Sequence, residues 1–115
     1  NGTQRLPKCI GMNKAKEILF TGKMLTAADA LELGILNHVT EPEQLMDEVY
    51  AMAGQIADNS ASAISLVKAA VNAGADMDID IGKNIELGYM AACFGTPDQI
   101  EGFASFKEKR AAKFR

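Results

Sequence analysis

The sequence contains few of the residues from which compact catalytic or metal centres are built. Its 115 residues include one histidine, two cysteines and no tryptophan. A single imidazole makes zinc binding improbable, because structural zinc sites take four ligands, mainly from cysteine and histidine. Cys9 and Cys93 match no metal or redox spacing, so we interpret both as free thiols of a reducing compartment. We therefore expect a cytoplasmic protein without a metal ion or a resident cofactor.

Charge and hydropathy exclude two further classes of partner. There are 12 basic and 15 acidic residues, a net charge of −3, which gives no global attraction to nucleic acid or an anionic membrane. No apolar run approaches the ~18–20 residues of a transmembrane helix. The amino-terminal residues are polar, unlike a signal peptide, and Asn1 stands where an initiator methionine is expected, which suggests a cut or processed chain.

The order of helix signals predicts a mainly α fold of about six short helices. Apolar spacing and capping residues indicate helices at 13–20, 27–33, 42–57, 60–74 and 79–94, and a last one from Pro97. Thr26 and Thr96 are expected to cap the helices that follow them, and Asn59 or Ser60 to cap the fourth. Gly54, Gly82 and Gly88 lie within these patterns, where each costs ~1 kcal/mol relative to alanine, so we expect them to mark close helix–helix approach.

One short strand is predicted at residues 35–39, a partly β-branched segment between Gly34 and Pro42. A single strand leaves backbone donors and acceptors without partners. We therefore expect it to pair with another chain or to belong to a sheet whose remainder is missing.

The candidate reactive groups are weak. His38 could act as a general base, but a histidine among apolar neighbours on a short strand is usually structural. Cys9 could be a nucleophile if Lys8 lowered its pKa, yet a small buried hydrophobe is the better interpretation of both cysteines. The aspartates at 76–80 lack the glycine and the terminal glutamate of a calcium loop. We assign no catalytic residue and no metal ligand.

The best candidate for a binding site is the basic end of the last predicted helix. Residues 106–110 read Phe-Lys-Glu-Lys-Arg. Cations are favoured at a helix C-terminus by the helix dipole alone, without any ligand. The functional alternative is a phosphate site flanked by an aromatic side chain, which suits a nucleotide-bearing molecule. Composition leaves both interpretations open.

Four segments follow one another in an order and spacing typical of a known family. They are GTQRLP at 2–7 with IG at 10–11, TGKMLTAADA at 21–30 with LGILNHV at 33–39, IADNS at 56–60, and TPDQIEGF at 96–103 with FKEKR at 106–110. Together they resemble the enoyl-CoA hydratase/isomerase (crotonase) family, most closely its short-chain enoyl-CoA hydratases, and they cover essentially the whole chain.

The resemblance implies that residues 1–115 form the helical C-terminal region of a crotonase-like protein. In that family a preceding ββα-spiral core supplies the catalytic glutamates and the oxyanion-hole donors. The helical region packs subunits into trimers or hexamers and closes over the acyl-CoA. By position, Phe106 would be an apolar wall at the adenine end of the CoA and Lys109 a charge on its phosphates. Acyl-CoA is thus the implied substrate, and the implied assembly is a homo-oligomer.

Two classes of function remain open. The first is the C-terminal part of an enoyl-CoA hydratase, which reversibly hydrates 2-enoyl-CoA to 3-hydroxyacyl-CoA. The second is a freestanding helical interaction module that acts only in assembly. The unpaired strand and the missing initiator methionine favour the first. Its nearest rival among enzymes is another crotonase member such as an enoyl-CoA isomerase. Because the deciding carboxylates lie upstream, we expect this chain alone to be inactive.

Overall fold

The computed structural model describes residues 1–114 and shows the expected mainly α fold. Within this range lie helices α1 Gly2–Ile10, α2 Met12–Thr21, α3 Ala27–Glu32, α4 Leu45–Ala57, α5 Ala61–Gly74, α6 Ile79–Cys93 and α7 Pro97–Glu108, with a 3-10 helix at Pro42–Gln44 before α4. The six predicted helices all form, and α1 is an additional one. None of the described helices has the length and apolar content needed to cross a membrane.

The strand predicted at residues 35–39 is wrong. Gly34 follows α3 in the left-handed region, at φ 73°. The N–H groups of Ile35 and Leu36 then donate to the carbonyl oxygen of Ala30, at 2.9 and 3.2 Å. The helix end therefore takes the donors that a sheet would use, and the described residues contain no strand that could be a partner. An isolated strand is not stable, so the segment forms an irregular connection.

The chain divides into two compact units, and the first is Asn1–Glu48. Helices α1 and α2 pack together there, and Ala15 of α2 is completely buried. The predicted cap of α3 is confirmed, since the hydroxyl of Thr26 accepts from the N–H of Asp29 while the Asp29 carboxylate accepts from the N–H of Thr26. The Asp29 carboxylate also accepts from the Thr26 hydroxyl at 2.8 Å. The two hydrogen bonds that this carboxylate accepts lower the pKa of Asp29, and the one from the Thr26 backbone N–H has the larger effect.

The second unit begins at Val49 and is built around the packing of α5 against α6. The two helices approach closely near their connection, where a Cβ added to Gly74 would lie 3.7 Å from the Cα of Gly82. The expected close approach at Gly82 is therefore confirmed. Gly54 and Gly88 have no such neighbour among the described residues, because a Cβ built on either meets no atom within 4 Å.

Few apolar side chains are buried within the chain. Among the described residues, Ala15 is the only hydrophobic residue that is buried. The apolar stripe of α4 is exposed along its whole length, at Leu45, Val49, Met52 and Ile56. Burial of apolar surface is the main favourable contribution to folding, so residues 1–114 gain little of it from one another.

The exposed end of helix α7

The N-terminus of α7 is fixed by local capping. The hydroxyl of Thr96 accepts from the N–H of Gln99 at 3.2 Å, and Pro97 occupies the first turn, as the sequence predicts. The side-chain oxygen of Gln99 accepts from the N–H of Gly95 at 3.1 Å, one residue before the position that a regular capping box would use. The cap of α7 is therefore formed by residues next to one another in the sequence.

A second contact ties the start of α7 to the start of α5. The buried hydroxyl of Ser60 accepts from the N–H of Ala63 at 3.1 Å and donates to the carboxylate of Asp98 at 2.6 Å. Ser62 also donates to Asp98, at 3.3 Å. The carboxylate thus lies at the N-terminal ends of two helices, where both helix dipoles favour a negative charge. Of the two expected caps, Ser60 is the one that α5 uses.

The C-terminus of α7 has an unusual backbone. Lys109 follows the helix in the left-handed region, at φ 53° and ψ 41°, and is the only residue other than glycine with a positive φ in the described chain. Its N–H donates to the carbonyl of Phe106 at 3.3 Å, and the next N–H, from Arg110, donates to the carbonyl of Ser105 at 3.1 Å. This is the Schellman pattern, in which glycine usually takes the left-handed position.

An ion-pair cluster holds the residues that follow Lys109. Arg110 donates through Nη1 and Nη2 to the two carboxylate oxygens of Glu101, at 2.5 and 2.9 Å, and through Nε to Glu108 at 2.6 Å. The backbone N–H of Lys113 donates to the same Glu101 at 2.8 Å. These hydrogen bonds lower the pKa of Glu101 to about 2, and the bond from the Arg110 side chain has a larger effect than the one from Lys113. Both carboxylates in turn raise the pKa of Arg110, Glu101 more than Glu108.

The residues after Lys109 turn back along α7. A Cβ added to Gly102 would lie 3.9 Å from the ring of Phe114, an ordinary van der Waals distance, so the ring lies beside this part of α7. An open cavity of about 830 Å³ lies beside the returning segment, lined by Glu101, Arg110, Lys113 and Phe114 with residues of the first turns of α7. The returning segment is therefore fixed by charge pairing and by one aromatic contact.

Phe106 and Lys109, the two residues assigned to CoA from the sequence, lie together at this helix end. The Phe106 side chain is 85% exposed, and with Gln99, Gly102 and Phe103 it lines a shallow apolar depression. Lys109 is also exposed, and its N–H donates to the Phe106 carbonyl. The end of α7 therefore presents an aromatic ring and an ammonium group to the surroundings. Arg110, which belongs to the same basic run, is paired with Glu101, a residue to which the sequence analysis gave no role.

The other sequence candidates are scattered. His38 lies with Nδ1 3.4 Å from Glu48 Oε1, and both side chains are about half exposed. Both cysteines are free, but Cys9 is exposed and Cys93 is half-buried. Neither thiol is fully buried, so the expectation of two buried thiols was wrong. In residues 1–114, no three acidic, histidine or cysteine side chains are grouped as a metal site would need.

The fold defines the class as a helical region whose last helix ends in an exposed ring and an exposed cation. The particular family follows from comparison with known proteins, since the sequence model of the enoyl-CoA hydratase/isomerase family matches residues 1–115. The chain belongs to this family.

Individual relatives agree with this assignment. The crotonyl-CoA hydratase of Syntrophomonas wolfei is 43% identical over 98% of this chain, which spans 44% of that relative. A short-chain enoyl-CoA hydratase of Clostridioides difficile is 44% identical over 92% of this chain and 68% of its own length. The crystal structure of the enoyl-CoA hydratase of Bacillus anthracis superposes with a TM-score of 0.92 at 35% identity, over 98% of this chain and 44% of that one. The chain thus spans less than half of two of these three proteins.

Proposed function

We propose that this chain is the C-terminal helical region of an enoyl-CoA hydratase, an enzyme that reversibly adds water to 2-enoyl-CoA to give 3-hydroxyacyl-CoA. The observation that carries this proposal is the 43% identity to a crotonyl-CoA hydratase over 98% of the chain. An enoyl-CoA isomerase is the second candidate, because the matching family includes isomerases as well as hydratases.

The chemistry explains why we assign no catalytic residue to this region. Addition of water to an α,β-unsaturated thioester develops negative charge on the thioester oxygen, which preorganised N–H donors must stabilise. The water must also lose a proton, and the α-carbon must gain one, which requires positioned acid and base groups. The resemblance assigns these groups to the ββα-spiral core that precedes this region in the family. We therefore expect the isolated chain to be inactive.

We propose that this region contributes contacts with the CoA part of the substrate. Lys109 would place its ammonium group on a CoA phosphate, and Phe106 would place its ring against the adenine end. The high exposure of Phe106 supports this role, because the described chain offers the ring no apolar cover. The acyl-CoA is the substrate, and no further cofactor is required.

We also propose that the protein is a homo-oligomer of the cytoplasm. The exposed apolar faces of α4 and α6 support this, since extended apolar surface is typical of interfaces. The two free thiols fit a reducing compartment. The freestanding assembly module remains the alternative outside enzymes, and a reading frame without an upstream core would favour it.

Substitution of Lys109 by alanine tests the CoA contact, in the longest protein that the reading frame encodes. We expect KM for crotonyl-CoA to rise about 5- to 30-fold, the scale of a partly solvated charge-assisted hydrogen bond. KM for crotonyl-pantetheine, which lacks the nucleotide, should stay unchanged. The effect on crotonyl-CoA should shrink at high salt, because salt screens exposed charges.

Lys107→Ala is the matched control, since it removes the same charge from the last turn of the same helix. It should leave KM for both substrates unchanged. Equal KM shifts for the two substrates in Lys109→Ala, or an equal effect of Lys107→Ala, would contradict the contact.

A further inference from the structure

The left-handed backbone of Lys109 needs an explanation. This conformation is unfavourable for a residue with a Cβ, and glycine avoids that cost. The two Schellman hydrogen bonds use only backbone groups, so a glycine would form them equally well. Strained residues of this kind persist where the surrounding structure determines them, often at ligand contacts. The side chain of Lys109 is therefore the part of this residue that calls for a function.

The groups that determine this conformation lie on both sides of Lys109. On the helix side, its N–H is bound to Phe106 of the last turn. On the other side, Arg110 is held by three side-chain hydrogen bonds, two to Glu101 and one to Glu108. Glu101 lies nine residues before Arg110 and belongs to the body of α7, so the anchor is the helix itself. A residue between two fixed neighbours has little freedom to rotate.

The same cluster decides which cation is available to an anionic ligand. The guanidinium of Arg110 has carboxylates at 2.5 Å and 2.6 Å, which satisfy most of its donors. Lys109 has no acidic partner among the ion pairs of residues 1–114. Of the two cations that follow α7, Lys109 and Arg110, Lys109 is thus the one whose charge is open to a phosphate, as that of Lys107 in the last turn also is.

We propose that the Glu101–Arg110 pair is a positioning device, which fixes the direction in which Lys109 leaves the end of α7 and so sets its contact with the CoA phosphates. The inference rests on the proposed function, because it assumes that Lys109 meets a phosphate. Glu101 and Arg110 themselves touch no ligand and act through Lys109.

A double-mutant cycle tests the proposal in the longest protein of the reading frame. Glu101→Gln keeps the size of the side chain and removes its charge. Calorimetric titration with coenzyme A and with pantetheine gives Kd for the wild type, Glu101→Gln, Lys109→Ala and the double variant. We expect Glu101→Gln to weaken coenzyme A binding about three- to tenfold, as coupled neighbours do, and to leave pantetheine binding unchanged. In the Lys109→Ala background it should have no further effect.

The outcomes separate the two proposals. If Lys109→Ala leaves Kd unchanged, the proposed phosphate contact fails and the positioning role fails with it. If Lys109→Ala weakens binding and Glu101→Gln does not, the positioning role is overturned and the contact stands. Equal effects of Glu101→Gln with and without Lys109, or on both ligands, would show a general structural role and also overturn the proposal.

Arg110→Lys is a second variant in case Glu101→Gln does not fold. It keeps the positive charge and loses the paired donors that hold both oxygens of Glu101. The same cycle with Lys109→Ala applies, with the same expected loss for coenzyme A and none for pantetheine. An Arg110→Lys protein that binds coenzyme A as the wild type does would overturn the positioning role.

Discussion

Lys109→Gly should be more stable than Lys109→Ala, although both variants lose a side chain proposed to bind the substrate. The comparison of Lys109→Gly with Lys109→Ala isolates the energetic cost of the left-handed backbone. Both variants lose the lysine charge at the end of α7, so that loss cancels between them. Only the alanine variant keeps a Cβ at φ 53°.

The expected difference follows from two opposing contributions. Removal of the Cβ from the left-handed region gains about 1–2 kcal/mol. Glycine gives the unfolded chain more freedom, which opposes folding by about 0.4–1 kcal/mol. The backbone hydrogen bonds of Lys109 and Arg110 are available to both variants and add nothing to the difference. The glycine variant should therefore be more stable than the alanine variant by about 0.5–1 kcal/mol.

Two measurements report this difference in stability between the glycine and alanine variants. Urea unfolding should show a higher midpoint for Lys109→Gly with an unchanged slope. Hydrogen exchange at the Arg110 amide, whose N–H donates to Ser105, reports the helix end directly. That amide should exchange about two- to fivefold more slowly in the glycine variant than in the alanine variant. Equal midpoints and equal exchange, or a less stable glycine variant, would refute a strained left-handed lysine at this position.

Two further predictions concern the contacts that hold α7. Glu101 has a pKa of about 2 in the folded chain against an ordinary value of 4.5. Its ionised carboxylate therefore stabilises the folded state fully above pH 4.5, and this stabilisation is lost as pH falls towards 2. Urea midpoints at pH 5, 4 and 3 should therefore fall less steeply in Glu101→Gln, and parallel curves would contradict this. Ser60→Ala removes a helix cap and the 2.6 Å hydrogen bond to Asp98, and should destabilise the protein by about 1–2 kcal/mol. Ser62→Ala, the exposed control at 3.3 Å from Asp98, should change stability less, and equal losses would contradict the capping role.

Local signals allowed most helix boundaries to be predicted. Thr26 and Thr96 cap their helices through residues three positions ahead, so the whole interaction is contained in a few residues of sequence. Helix α1 was missed because Pro7 lies in its interior, where proline removes a backbone donor. It packs against α2, and a Cβ added to Gly2 would lie 3.9 Å from the Leu19 side chain. Local rules do not include such packing.

The strand at 35–39 was predicted wrongly, because local composition favours it but the partner it needs is absent among the described residues. Its composition favours extended backbone, but a strand is stable only beside a partner, and pairing is a property of distant residues. The Ala30 carbonyl of the preceding helix accepts from Ile35 and Leu36 instead. The absence of this strand also removes one of the two grounds on which the sequence favoured an incomplete enzyme. The family match and the similarity to hydratases now support that interpretation independently.

The candidate site shows the same division between local and distant information. Phe106 and Lys109 could be assigned from the sequence because they occupy a motif of the family. The anchoring of Lys109 could not, because Glu101 and Arg110 are nine residues apart, a spacing that the helical repeat does not bring together. They meet only because the chain reverses at the left-handed residue between them. The one available signal was a pair of opposite charges within the same motif, at positions 101 and 110.

The presence of lysine at position 109 links the stability of this turn to its proposed use. If the turn served only to end α7, glycine would end it with less strain, and the ion pair behind it would have nothing to position. If the side chain binds a phosphate, the strain and the Glu101–Arg110 pair acquire one explanation, since a long flexible ammonium binds better when its backbone is fixed. Residues that serve binding are commonly less stable than their best replacements. A glycine variant that is more stable than the alanine variant and binds coenzyme A more weakly than the wild type is the joint result that this explanation requires. The same stability difference with unchanged affinity would leave the lysine without a function at this site.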